Sequence, residues 1–161
     1  MDPKNWIDEC LASVTEQCQK EARKDAIHLA NDRVYDAQIS YFHDELWQLF
    51  ADAVACYNER AGQIGQMFQY QTLPHGEFSV RRYGSPSCNL LITLDRAARR
   101  LTCAYSYTGF RGLVAKESKQ FFIGVADDDL FIRQGNGDSI AKKDVTREIF
   151  SPFFKRAPRC L

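Results

Sequence analysis

The chain has three histidines, the side chains that most often perform acid-base chemistry or bind metals near neutral pH. They are His28, His43 and His75, and no two have the four-residue spacing with which a metalloprotease helix binds zinc. His28 lies near Asp32 and His43 near Asp44, which is enough only for a weak metal contact. We interpret these histidines as helical surface residues and predict no metal ligands.

The cysteines are scattered along the chain and no two form a CxxC pair. Zinc sites and redox motifs usually need close pairs, so most of these thiols are interpreted as small buried or incidental side chains. The six are Cys10, Cys18, Cys56, Cys88, Cys103 and Cys160.

The sequence also lacks the glycine-rich and serine-centred motifs of nucleotide binding and nucleophilic catalysis. The acidic run Asp127–Asp129 is typical of a hairpin turn, because three neighbouring carboxylates on a turn do not converge on one ion. We therefore predict that the protein is not an enzyme and carries no cofactor.

A dense basic run, Arg96-Ala97-Ala98-Arg99-Arg100, falls between two predicted strands. Its arginines, Arg96, Arg99 and Arg100, form a candidate anion-binding cluster. In an up-and-down sheet the turn at residues 127–129 emerges at the same end, so we expect its carboxylates to pair with these arginines.

Charge is divided unevenly within a neutral total. Residues 1–70 carry a net charge of −6 and residues 71–161 a net charge of +6. One interpretation is an acidic helical layer over a basic sheet layer. The other is a nucleic-acid-binding sheet, in which aromatic residues beside basic ones, as at 81–83 and 105–111, stack on bases.

Length and composition fit one α+β domain over residues 1–161, with 45% hydrophobic and 26% charged residues. No stretch is long and apolar enough to span a membrane, and the N-terminus does not resemble a signal peptide. We expect a cytoplasmic protein that does not bind membranes.

The first 62 residues predict a helical region, because no glycine occurs before Gly62 and no proline between Pro3 and Pro74. One rod of that length would be some 85 to 90 Å long. We therefore expect a break near Asn31-Asp32 or Asp36.

Two apolar stripes lie in this region. The second has the spacing of a helix packed on a sheet: Ile39, Phe42, Leu46, Leu49, Phe50, Ala53, Val54 and Tyr57. The first is shorter and is separated from the other by a charged stretch: Trp6, Ile7, Cys10, Leu11 and Val14. It must fold back on the domain or bind a partner, and Trp6, Ile7, Leu11 and Val14 are its candidate contacts.

Alternating residues after Gly62 predict an antiparallel sheet over residues 77–133. We place its five strands at 77–83, 88–95, 101–108, 119–126 and 129–133. A closing helix at 144–155 is expected to kink or restart at Pro152. The predicted inward residues are Phe78, Val80, Leu90, Ile92, Leu94, Leu101, Cys103, Tyr105, Phe121, Ile123, Val125, Leu130 and Ile132.

The same alternation assigns four large apolar residues to the outward face, namely Tyr83, Leu91, Phe122 and Phe131. Such a face is expected to be covered either by the C-terminal helix or by another molecule. Leu91, Phe122 and Phe131 are therefore further candidate partner contacts.

These patterns favour a non-enzymatic protein-interaction or adaptor domain that self-associates as a homodimer through its helical half. The alternatives are a nucleic-acid-binding module and a protein that binds a small ligand between helix and sheet.

Overall fold

A computed structural model describes residues 3–62, 67–82, 87–109 and 111–156. Their order along the chain is one long helix, seven strands and a short helix. The elements are α1 (Pro3–Ala61), β1 (Gln69–Leu73), β2 (Glu77–Arg82), β3 (Ser87–Asp95), β4 (Arg100–Thr108), β5 (Val114–Ala126), β6 (Asp129–Arg133), β7 (Ser139–Ile140) and α2 (Lys142–Arg156).

The strands form one antiparallel sheet in which each strand pairs with the next, in the order β1 to β7. The predicted α+β class and all five predicted strands are confirmed, but the sheet has two further edge strands. β1 lacks the alternation that identifies a half-buried strand, since four of its five residues are exposed. A tertiary contact holds its start, because the side chain of Asn58 exchanges two hydrogen bonds of 2.7 Å with the backbone of Phe68.

One face of the sheet carries the core, and both helices pack on it. Phe50 of α1 lies at the centre, with its ring centroid 5.8 Å from that of Phe78 and 5.5 Å from that of Phe150 in α2. The predicted inward residues are buried in this layer, except that Val125 is only half-buried. The core therefore lies between the sheet and residues 35–61 of α1, closed at one side by α2.

The predicted break in the first helix is wrong, because α1 is one continuous helix of 59 residues. Asparagine and aspartate at positions 31, 32 and 36 each lower helix propensity by less than about 1 kcal/mol, whereas a second helix would need a new nucleus. A rod of about 85 to 90 Å is too long for the domain, but the N-terminal part of α1 extends beyond the domain, so no break is needed. No helix among the described residues is both long and apolar enough to cross a membrane.

α2 continues as one helix through Pro152, so the expected restart is not observed. Proline removes the amide that would bind the carbonyl four residues earlier, which belongs to Glu148. Lys119 Nζ of β5 donates to that carbonyl at 3.0 Å, and Tyr105 Oη of β4 donates to the Ile149 carbonyl at 2.8 Å. The Lys119 ammonium therefore satisfies the carbonyl that Pro152 leaves without its helical donor, and the Tyr105 hydroxyl binds the adjacent carbonyl.

Candidate interaction surface

The N-terminal part of α1 extends beyond the domain. Every side chain from residue 4 to residue 30 is exposed, and the first half-buried residue is Asn31. We call residues 4–30 the arm; at 1.5 Å per residue it is about 40 Å long. The predicted helical partner surface therefore does not fold back on its own chain.

The arm carries large apolar side chains that are unusually exposed for an ordered helix. Their exposed fractions are 50% for Trp6, 42% for Ile7, 59% for Leu11, 56% for Val14, 60% for Ile27 and 54% for Leu29. Ile7, Leu11, Val14 and Cys18 follow one another at steps of three and four residues, so they form one stripe along the helix. A contiguous apolar stripe of this kind is typical of a contact surface.

Local contacts within the arm add little to its stability. Glu16 and Lys20 form an exposed ion pair of 2.9 Å one turn apart, and Thr15 Oγ1 donates to the Leu11 carbonyl at 2.8 Å. Pairs of the first kind contribute only about 0.2 to 0.5 kcal/mol. Helices in proteins gain most of their stability from tertiary packing, so the arm has an energetic reason to bind another surface.

Two sheet turns hold the base of the arm. Arg99, in the β3–β4 turn, forms a 2.5 Å ion pair with Asp32, and its guanidinium lies 4.3 Å from the centroid of the Tyr35 ring. Tyr35 Oη in turn donates to the Arg96 carbonyl at 2.8 Å. From the β5–β6 turn, the Asp128 carbonyl accepts from Gln38 Nε2 at 2.8 Å.

The expected pairing of the basic run with residues 127–129 is wrong. Arg99 pairs with Asp32, and Arg96 contacts Ser40 Oγ at 3.2 Å and His43 Nδ1 at 3.0 Å. Arg100 Nε is buried and has no hydrogen-bond partner among the described residues. Both turns bind helix α1 instead, the β3–β4 turn through Arg96 and Arg99 and the β5–β6 turn through the Asp128 carbonyl.

His43 lies in a crevice where α1 meets the β1–β2 and β3–β4 turns. The crevice has a volume of about 490 Å³ and is lined by His43, His75, Gly76, Leu94, Asp95 and Arg96. Gly76, at φ 74°, permits this close approach, because a Cβ there would come within 3.0 Å of His43 Cε1. Sequence separation hid this grouping, since the turns contact the helix only in the folded chain.

The environment of His43 favours a neutral imidazole. Burial first, and the Arg96 guanidinium second, lower the pKa of His43 against the opposing effect of Asp44. A guanidinium can only donate, so Nδ1 is the acceptor and the ring proton resides on Nε2. Among the described residues, no thiol or carboxylate is hydrogen-bonded to this ring, and no metal-ligand cluster is found.

The outward sheet face is a weaker candidate surface. Leu91, Phe122 and Phe131 are half-buried, and Tyr83 lies outside the described residues. The polar row Thr93, Thr102 and Gln120 separates Leu91 from Phe122. These residues therefore do not form one apolar patch.

The C-terminal helix does not cover this outward face, so that alternative is wrong. Val145, Ile149, Phe150 and Phe153 are buried on the inner face instead, where Phe150 packs against Phe50 of α1. The buried residues of α2 follow the helical period, so they form one stripe that packs on α1 and on the inner face of the sheet.

The aromatic residues of β4 are not available to stack on bases. Tyr105 and Tyr107 point into the core, with exposed fractions of 3% and 1%. Phe153 packs against both rings, and the Arg156 guanidinium lies 4.2 Å from the Tyr107 ring centroid. Phe110 lies outside the described residues.

Comparison with protein-family models, curated proteins and solved structures finds no match for this chain. The chain is an α+β domain from which the helical arm projects.

Proposed function

We propose that the protein is a non-enzymatic interaction domain that self-associates through the exposed arm of α1. The observation that carries the proposal is the continuous exposure of residues 4–30 on a helix whose remaining length is firmly packed. A stripe with Leu11 and Val14 more than half exposed gains free energy when another apolar surface covers it.

The contacts that hold the base of the arm support its role as a binding surface. Arg99 and Asp128 hold the helix at Asp32 and Gln38, so the arm leaves the domain in a defined direction. A preordered helix binds with a smaller entropic cost than a segment that must fold on contact. A second copy is the proposed partner, because symmetric pairing is the commonest arrangement of soluble oligomers.

The test changes the stripe without shortening the chain. Lysine at Leu11 and Val14 introduces charge at two positions of the stripe, and we expect a dimeric wild type to become monomeric in sedimentation velocity. The matched control places lysine at Asn5 and Ser13, two exposed positions on the opposite face of the same helix. We expect that variant to remain dimeric.

A monomeric wild type at every concentration would reject this proposal. A dimer that survives lysine at both Leu11 and Val14 would also reject it, and would leave the outward sheet face as the next candidate surface. Circular dichroism checks that all variants keep the helix content of the wild type.

A further inference from the structure

The packing of α1 against α2 leaves an apolar groove with a basic rim. It has a volume of about 450 Å³ and is lined by Ala53 of α1 and by residues of α2 that include Phe150 and Phe154. Lys143, Arg147 and Lys155 are the exposed cations along its edge. Among the described residues, none of these three cations has an acidic partner within salt-bridge distance.

The arm has the complementary character. Its apolar stripe is accompanied by Asp8, Glu9, Glu16 and Glu21, against which only Lys20 is basic between Trp6 and Glu21. That stretch therefore has a net charge of −3. A helix with apolar and acidic side chains fits a groove with an apolar floor and a basic rim.

The length of α1 determines which residues of the arm would face the groove of a second copy. If two copies of α1 pair antiparallel and overlap fully, Pro3 of one faces Ala61 of the other, and Leu11 faces Ala53 in the groove. The twofold axis then passes near Asp32, where the arm leaves the domain. Each arm thus spans the packed half of the other helix.

The direction of α2 places its basic residue Lys155 opposite Asp8 in the arm of the second copy. Lys142 Nζ lies 4.8 Å from the centroid of the Phe42 ring, and Phe154 stacks on Tyr57 at 4.2 Å, so α2 runs alongside α1 in the same direction. Lys155 therefore lies near the level of Tyr57, which faces the turn containing Ile7 and Asp8 of the second copy. Asp8 flanks the apolar stripe, so it can approach Lys155 while the stripe contacts the groove, whereas Glu16 lies on the opposite face of the arm beside Lys20.

We infer that the arm of one copy docks in the α1–α2 groove of a second copy, and that the exchange is reciprocal. Each chain then contributes two strips about 10 Å wide: its arm, roughly 40 Å long, and its groove, which is limited to the roughly 22 Å length of α2. Together they cover roughly 600 Å² per chain, or about 1,200 Å² in total, at the lower end of the range for specific interfaces. The inference rests on the proposed self-association and adds the surface that receives the arm.

A charge exchange in the full chain tests it. Lys155→Glu is expected to raise the dimer dissociation constant at least threefold, and Asp8→Lys is expected to do the same. A chain with both changes should return close to the wild-type value. Lys116→Glu, an exposed reversal on the outward sheet face, is the control and should leave the constant unchanged.

The outcomes separate the two proposals. If neither reversal changes the dissociation constant while lysine at Leu11 and Val14 still abolishes the dimer, the arm is the interface and the groove is not its receptor. If each reversal weakens the dimer and the chain with both changes does not recover, the proposed register is wrong. A wild type that is monomeric throughout overturns both.

Discussion

Arg99 and Asp32 form an ion pair of 2.5 Å across 67 positions of sequence, and this pair marks the point where α1 leaves the domain. Arg99 lies in the β3–β4 turn with φ 52°, and its guanidinium also covers the Tyr35 ring. The acidic helix and the basic sheet half are therefore joined at the base of the arm. The same contact neutralises one arginine of the candidate anion-binding cluster.

Replacing Arg99 with alanine is expected to lower the unfolding free energy by about 1 kcal/mol. The partly exposed ion pair contributes about 0 to 1 kcal/mol and the contact with Tyr35 a similar amount. A double-mutant cycle with Asp32→Asn, measured by urea unfolding, should give a coupling of a few tenths of a kcal/mol that falls with added salt. Additive effects of the two changes would show that the pair contributes nothing.

Truncation of two leucines in α1 should have very different effects on the unfolding free energy of the monomer. Leu46 is fully buried, so Leu46→Ala is expected to cost about 2 to 5 kcal/mol of unfolding free energy. Leu11 is 59% exposed, so Leu11→Ala should change the stability of the monomer by less than about 0.5 kcal/mol. Denaturation at low protein concentration, combined with dimer dissociation measurements, separates the two effects. A large loss of monomer stability in Leu11→Ala would indicate that the arm folds back.

The titration of His43 predicts how stability depends on pH. Because its folded pKa is lowered, the unfolded chain binds the proton more readily, and the neutral ring stabilises the fold at high pH. This stabilisation is complete above about pH 6.5 and is lost as the pH falls through the lowered folded value. The unfolding free energy of His43→Gln should therefore fall less than that of the wild type between pH 7 and pH 5. Equal losses of unfolding free energy in the wild type and in His43→Gln over this range would contradict the prediction.

The thiols are expected to differ in reactivity. Burial raises the pKa of Cys103 to about 12, which suppresses the thiolate that reacts with disulfide reagents. In a Cys160→Ser chain, we expect Cys10, Cys18 and Cys56 to be modified first, and Cys88 and Cys103 only on unfolding. Mass spectrometry of the modified peptides checks the order. Prompt labelling of Cys103 in the native protein would contradict its placement in the core.

The periodic parts of the sequence predicted the sheet core well, because Leu90, Ile92 and Leu94 alternate as one-sided strands do. Strand β1 has no such pattern, because contacts with residues outside the strand, such as that of Asn58 with Phe68, hold its start. The acidic and basic halves indicated that charges would pair between layers. They could not give the partners, because a charge count carries no information on which side chains meet after folding.

The exposed stripe of the arm could be predicted for the same reason as the core, since Ile7, Leu11 and Val14 follow the helical period. The groove could not be predicted. Its walls come from Ala53 and from α2, which lie far apart in sequence, and its rim combines charges that look like an ordinary solvated helix face.

Sedimentation equilibrium of the full chain over a wide concentration range, beside a chain that lacks residues 1–30, tests the central claim most directly. Within the part of the chain that the structure describes, all core residues lie beyond residue 34, so the shortened chain keeps those buried side chains. The account predicts twice the monomer mass of 18.5 kDa for the full chain and a monomer for the shortened one. A monomeric full chain, or a dimer that survives the deletion, would contradict it.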